Sequence, residues 1–179
     1  MAFKLKRFKD FISTFDIPKN INGGKSLVLD GVDLSKFAVS LIEYCESQGV
    51  NLTPLPKITF SDDAHKKDQG NFFSRTGYYE PSDNSIHIIY KNRHPKDVLR
   101  TLAHELIHHS QRLKGIVKKG ALSQMEKDPG FSSKIMYMDN HPEKSYLEGD
   151  AFLRSNLLFR SWHDQMAHKF GHTKNQWEN

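Results

Sequence analysis

The chain has 179 residues, of which 37% are hydrophobic and 26% are charged, and its formal net charge is +5. This length suits one domain with its own core, and the composition excludes an intrinsically disordered protein. No apolar run approaches the ~20 residues that cross a bilayer, and residues 1–12 lack the apolar run and cleavage site of a signal peptide. The single cysteine, Cys45, cannot form an internal disulfide. The composition therefore predicts a cytoplasmic protein with a buried thiol and no membrane contact.

The first third of the chain divides into three segments. Residues 3–15 predict a short basic helix with phenylalanines on one side, and residues 17–32, rich in Asn, Gly and Pro, predict a linker. Asp33 then opens a helix that runs to Ser47, because its apolar residues follow the 3.6-residue period. We therefore expect a basic N-terminal helix and linker over residues 1–32, followed by a single domain over residues 33–179.

A β region follows the first long helix. Residues 56–61 predict one strand, and residues 72–80 and 85–90 predict two more, joined by the turn Pro81-Ser-Asp-Asn84. The strand at 85–90 comes just before the next helix, and we expect it to present an edge to an extended peptide.

The last third of the chain contains a loop and a helix. Residues 116–141 predict a long loop, a feature that is often functional in compact domains. Pro142 then opens a final helix that reaches about Phe170.

The segment of residues 101–111 contains the motif H-E-x-x-H, with His104, Glu105 and His108 at its fixed positions. It lies in a predicted amphipathic helix that begins near Pro95. Residues four apart on a helix lie ~40° apart on one face and ~6 Å apart along the axis, so the two imidazoles can share one metal ion. Glu105 reaches the same cavity from the side, where it can take a proton from water. The adjacent His109 points about 100° away, and we expect it at the surface or supporting a ligand.

A catalytic zinc site needs a third protein ligand and an open position for water. Glu148 and Asp150 fall among apolar residues of the last helix, where an uncompensated charge is costly. We predict that Glu148 is the ligand, because it is longer and precedes the small Gly149. Asp150 would then hydrogen-bond a ligand histidine, and the reverse assignment stays open. The less favoured candidates are Glu143, His141, His168 and His172.

The order strand, turn, strand and H-E-x-x-H helix resembles the core of the zincin metallopeptidases, and a glutamate on a later helix is similar to their gluzincin branch. Residues 93–111 are also similar to small metallopeptidase-like proteins of tailed bacteriophages, in which a Glu-x-Glu-Ala segment follows the motif. Here Glu148-Gly-Asp-Ala151 has Asp150 in place of the second Glu, so Asp150 would bind zinc if the family uses that second acid. The resemblance covers residues 57–160.

Together these features predict a small α+β, zincin-like domain with a short, mostly antiparallel sheet packed on the motif helix and the C-terminal helix. The expected activity is that of a zinc-dependent metallopeptidase. His104, His108 and Glu148 would hold Zn²⁺, and Glu105 would act as the general base on the zinc-activated water. The expected partner is a protein or peptide substrate, and an additional donor to the developing oxyanion is sought among Tyr137, Tyr146 and His163.

Two alternative functions remain from the sequence. Basic residues gather at 4–9, 66–67 and 114–119, and a solvated basic surface is the favoured interpretation. The first alternative is that this surface contacts nucleic acid and directs the peptidase at DNA-bound proteins. The other alternative is a phage virion or assembly protein with a structural metal and no turnover, found in the host cytoplasm or in the virion. Steep salt dependence of DNA binding would support the first alternative, and a zinc ion with no open position would support the second.

Overall fold

The structure is a computed structural model, and it describes residues 10–62, 76–115 and 142–170. These residues form an α+β domain, as predicted from the sequence. Its α-helices are α1 (Leu34–Ser47), α2 (Pro95–Leu113) and α3 (Pro142–Phe170). Its strands are β1 (Val28–Leu29), β2 (Val32–Asp33), β3 (Lys57–Ser61), β4 (Gly77–Glu80) and β5 (Ser85–Ile89).

The helix starts follow from local chemistry. The Asp33 side chain caps α1 by accepting a hydrogen bond from the Lys36 amide at 3.1 Å, and an aspartate at this position satisfies an amide that the helix leaves unpaired. His94 caps α2 in the same way through its Nδ1 atom, and Pro95 follows at the first helical position, where its missing N–H costs nothing. The predicted bounds of these helices are confirmed.

The main sheet has the strand order β3-β5-β4. β5 pairs in parallel with β3 and antiparallel with β4, so this sheet is mixed and not mostly antiparallel. The prediction that residues 85–90 present an edge is wrong, because β5 is the central strand. The backbone amides and carbonyls of β5 bond to β3 on one side and to β4 on the other. β3 and β4 take the two outer positions.

Residues 17–32 were predicted as a linker but contain regular structure. β1 and β2 form an antiparallel pair, and the two residues between them, Asp30 and Gly31, both have positive φ angles of 49° and 77°. An Asp-Gly turn of this kind matches the twist of two paired strands. Residues 10–13 are helical, as predicted, and the predicted loop at 116–141 lies outside the described residues.

The core lies between the main sheet and the three helices. Ile58, Ile86 and Ile88 are fully buried on one face of the sheet, and Ile12 and Ile21 join the same apolar cluster. The indole of the buried Trp162 donates a hydrogen bond to Ser40, which ties α3 to α1. No helix within the described ranges has both the length and the apolar character needed to cross a membrane.

Cys45 is buried in α1, as the sequence predicted. Burial in apolar surroundings raises the pKa of its thiol to about 12. The thiolate is therefore not populated at neutral pH, and the thiol packs as a small apolar side chain.

Candidate metal centre

Helices α2 and α3 pack antiparallel and bring three predicted residues together. Gln111, near the end of α2, donates a hydrogen bond to the Leu147 carbonyl near the start of α3. Beside this contact, the imidazoles of His104 and His108 on α2 face the carboxylate of Glu148 on α3. His104 Nε2 lies 3.3 Å from one Glu148 oxygen and His108 Nε2 lies 3.3 Å from the other. We call these three side chains the His–His–Glu cluster.

The spacing of the cluster suits one small divalent cation. The two Nε2 atoms of His104 and His108 are 3.0 Å apart, and all three ligand atoms lie within 4.8 Å of one another. Two ligands bound tetrahedrally to zinc at about 2.0–2.1 Å are separated by about 3.3 Å. The observed separations therefore approach the edges of such a tetrahedron, and two nitrogens with one carboxylate form a donor set that zinc prefers.

A hydrogen bond orients the His108 ring toward the cluster. The Gln111 amide nitrogen donates to the Leu147 carbonyl, so the Gln111 oxygen faces the other way and lies 3.0 Å from His108 Nδ1. His108 therefore donates from Nδ1, so in its neutral form Nε2 is the unprotonated nitrogen that can bind a metal ion. This tautomer is the one a metal requires, and such outer partners typically raise the basicity of a ligand imidazole.

Gln111 belongs to the candidate site and was missed by the sequence reasoning. It is fully buried, and it lies three residues after His108, a spacing that places two helical side chains on one face. This three-residue spacing is the sequence signal that could have identified Gln111 as a partner of His108. A buried glutamine three residues after a candidate ligand has the donor and the acceptor needed to fix that ligand.

Asp150 lies near the cluster but outside it. Its carboxylate accepts a hydrogen bond from Gln111 Nε2 at 2.8 Å and contacts Arg154 at 3.4 Å. The expected direct bond from Asp150 to a ligand histidine is replaced by this link through Gln111. Among the described residues the convergent group contains Glu148 and not Asp150, which favours the first of the two assignments left open by the sequence.

The cluster carries opposing charges that stabilise each other. Burial would raise the pKa of Glu148, but hydrogen bonds and charge from His104 and His108 outweigh it and hold that pKa well below its ordinary value. Burial would likewise lower the pKa of His108, but the Glu148 hydrogen bond and the charges of Glu105 and Glu148 raise it to about 9. Without a metal, a proton on His108 therefore supplies the positive charge that the carboxylates attract.

Glu105 lies beside the cluster without joining it. Its side chain is only 7% exposed, and burial raises the pKa of its carboxyl group above the ordinary value. The charges of His108 and His104 and a hydrogen bond from the Tyr79 backbone amide partly offset that rise, whereas Glu148 adds to it. A buried carboxylate with a raised pKa beside the candidate metal centre has a position and a proton affinity that suit a general base.

His109 occupies the opposite side of α2. It is fully buried, which corrects the expectation of a surface or ligand-supporting residue. The carbonyls of Leu52 and Pro54 lie 3.3 and 3.0 Å from its Nε2, and carbonyls only accept, so Nε2 carries the hydrogen. Its Nδ1 then faces the Tyr79 hydroxyl at 3.1 Å. Burial lowers the pKa of His109, so it is a neutral structural residue.

The free edge of β4 faces the general-base candidate. Ile89 N–H donates to the Thr76 carbonyl at 3.0 Å, which makes these two residues a hydrogen-bonded pair. Because such pairs alternate along an antiparallel ladder, Tyr78 forms the next one, and the amides and carbonyls of Gly77 and Tyr79 point away from β5. Among the described residues β4 pairs only with β5, so this outward side is the sheet edge next to the cluster.

The other candidate donors and ligands that the structure describes lie far from the cluster or point away from it. His163 and His168 follow Glu148 by 15 and 20 residues on one helix, which is about 22 and 30 Å along its axis. Tyr146 is exposed and lies about 160° around α3 from Glu148. Tyr137, His141, His172 and the Glu143 side chain lie outside the described part of the chain, as do nearly all the basic residues proposed to contact nucleic acid.

Comparisons of the chain with protein-family models, with curated proteins and with solved structures find no match. A function is therefore inferred from the side chains that the fold brings together.

Proposed function

We propose that this protein is a zinc-dependent metallopeptidase. The observation that supports this most strongly is the meeting of three ligand side chains from two helices, with the two Nε2 atoms 3.0 Å apart and each of them 3.3 Å from a Glu148 oxygen. A structural histidine pair would need no carboxylate aimed at both rings. His104, His108 and Glu148 would hold the zinc, which supplies Lewis-acid polarisation of water and of a scissile carbonyl when it is bound.

The proton transfers of peptide hydrolysis are assigned to Glu105. Its carboxylate takes a proton from the attacking water as the water oxygen bonds to the carbonyl carbon. It then gives that proton to the amine nitrogen as the carbon–nitrogen bond breaks. The raised pKa of Glu105 supports both steps, because the group must accept a proton and then release it.

The surroundings of the cluster suit a peptide substrate. The side chains of His104, His108 and Glu148 remain 25%, 14% and 30% exposed, so the site is open to solvent on one side. The outward side of β4 lies beside Glu105, which accepts a hydrogen bond from the Tyr79 amide. An extended peptide can pair with the other outward amides and carbonyls of this edge. We assign the substrate-binding edge to β4 in place of the predicted strand at 85–90.

The proposal is tested with Glu105→Gln, which removes the base and keeps the volume of the side chain. We expect one zinc per chain in both proteins and a loss of peptide hydrolysis by about 10²-fold or more in the variant. The matched control is Glu80→Gln, which makes the same chemical change on β4, where the Glu80 carboxylate bonds to Ser82. Loss of zinc in Glu105→Gln would make Glu105 a ligand and overturn the assignment.

The same experiment separates the alternatives. A wild-type protein that retains zinc, resists chelators and cleaves no peptide across a diverse library would support a structural metal in a virion or assembly protein. Binding to DNA that weakens steeply with salt would support a peptidase directed at DNA-bound proteins.

A further inference from the structure

The strand beside Glu105 is short and has one described neighbour. β4 spans four residues and, among the residues that the structure describes, pairs with β5 alone. Edge strands of this length open readily unless side chains hold them in place. The position of β4 relative to α2 therefore depends on contacts beyond the sheet ladder.

The first end of β4 is fixed by close packing against α2. A Cβ atom on Gly77 would lie 2.6 Å from the Thr101 methyl group, so glycine lets the strand approach the helix closely. The Arg93 guanidinium donates to the Thr76 carbonyl and to the Thr101 hydroxyl at 3.1 and 2.7 Å. These contacts hold the start of the strand through backbone atoms and packing.

The second end of β4 is held through one hydroxyl group. Tyr79 is buried, and its hydroxyl accepts a hydrogen bond from Arg112 at 2.7 Å. The same oxygen lies 3.1 Å from His109 Nδ1 and 3.2 Å from the Asn84 side-chain oxygen. We call Tyr79, His109 and Arg112 the Tyr79 anchor.

The anchor is itself rigid. His109 is fixed on its far side by two backbone carbonyls, and its ring meets the Tyr79 ring edge-on with 5.4 Å between centroids. The Arg112 guanidinium also lies 5.9 Å from the centroid of the Tyr79 ring. The phenol of Tyr79 is therefore held by His109 and Arg112, which both follow the ligand histidines on α2. The backbone amide of Tyr79 donates a hydrogen bond to Glu105.

We infer that Tyr79 is a positioning residue for substrate binding, whose hydroxyl, held by His109 and Arg112, fixes the free edge of β4 beside Glu105 for an extended peptide. This inference rests on the proposed peptidase function. An edge that is ordered before binding lowers the entropy lost when the peptide pairs with it. Because the hydroxyl contacts no reacting atom, its loss acts on KM more than on kcat.

The test compares Tyr79→Phe with Tyr78→Phe. Each variant removes one hydroxyl from β4, but the Tyr78 ring lies on the other face of the sheet, stacked on His87. We expect Tyr79→Phe to raise KM for an extended peptide about 10-fold, with kcat changed by less than about 3-fold and zinc affinity unchanged. Tyr78→Phe should leave all three values unchanged. Equal KM values for the two variants and the wild type would overturn the inference.

A second measurement separates this inference from the proposed function. Amide hydrogen exchange in the zinc-loaded protein should speed up about 10-fold at the β4 ladder amides in Tyr79→Phe and not in Tyr78→Phe. Arg112→Met, which keeps the apolar stem and removes the donor, should give a change of the same sign. An inactive wild type with this exchange pattern would refute the peptidase and leave the anchor standing, whereas unchanged exchange in both anchor variants would refute the anchor.

Discussion

Two adjacent histidines on α2 have opposite environments. His108 faces the partly exposed Glu148 carboxylate, and its Nε2 atom lies only 3.0 Å from that of His104. His109 faces the core, and each of its ring nitrogens lies within hydrogen-bonding distance of a fixed partner. The pKa of His108 is raised to about 9, whereas burial lowers that of His109.

The difference shows how a ligand can be separated from a structural histidine. Around His108 the acceptor atoms outnumber the protons that neutral side chains can provide, so the arrangement requires a cation, either a proton or a metal ion. Around His109 each ring nitrogen faces a hydrogen-bonding group of the protein, so neither a metal ion nor an added proton is required. The residue type is the same, and the neighbouring groups decide the role.

The largest expected effect comes from removing both ligand imidazoles. His104→Ala combined with His108→Ala should reduce the zinc content from about one ion per chain to none, because a single carboxylate holds zinc poorly. His109→Gln is the matched control and should keep about one zinc per chain. Metal analysis of dialysed protein measures this. Full zinc content in the double variant would exclude the His–His–Glu cluster as the site.

Replacing His109 should affect stability and not metal content. His109→Phe preserves the ring volume but leaves the carbonyls of Leu52 and Pro54 without their donor, which should lower the free energy of unfolding by about 2–4 kcal/mol. Urea denaturation with the zinc content measured in parallel tests this. A variant that stays fully folded but loses its zinc would place His109 in the metal centre and abolish the contrast with His108.

Gln111→Leu sharpens the comparison, because it removes the group that orients His108 and keeps all three ligands. We expect zinc affinity to fall by about 10–100-fold, the usual effect of losing an outer-shell partner. Competition with a chelating dye measures it. Asp150→Asn is the control, since the carboxylate contacts Gln111 and no ligand, and its effect should be smaller. A larger loss in Asp150→Asn than in Glu148→Gln would reverse the ligand assignment.

The last prediction concerns the pH dependence of zinc affinity and of stability. Below the raised pKa of His108, about 9, zinc must displace a proton, so its affinity should increase by about 10-fold per pH unit between pH 6 and 8. In the metal-free protein that bound proton stabilises the fold, and this stabilisation is lost as pH rises through about 9. Zinc affinity that is independent of pH over that interval would show that no proton is displaced.

The helices and the candidate ligands could be predicted from local patterns in the sequence. The 3.6-residue period and the capping residues Asp33 and His94 locate α1 and α2, because these signals lie within one turn of the chain. The pairing of His104 with His108 follows from helix geometry alone. Glu148 could be proposed because a carboxylate in an apolar stretch needs a partner, although its distance from α2 in sequence left the choice between it and Asp150 open.

The remaining features depend on contacts between distant segments. Nothing in residues 85–90 indicates that a parallel neighbour will occupy one side, so the central place of β5 could not be read from its own sequence. The burial of His109 has the same cause, since a 100° offset from His108 does not tell which side the sheet will cover. The hairpin at Asp30 and Gly31 is different, because an Asp-Gly pair is a local signal that the sequence reasoning overlooked.

We expect His104, His108 and Glu148 to hold one zinc ion with one coordination position left open. The most direct measurement is a crystal structure of the zinc-loaded protein with anomalous diffraction at the zinc edge. We expect one strong peak at about 2.0–2.2 Å from both Nε2 atoms and a Glu148 oxygen, with no fourth protein ligand. A peak bound by Asp150 or Glu105, a zinc closed by four protein ligands, or no peak at this cluster would contradict the account.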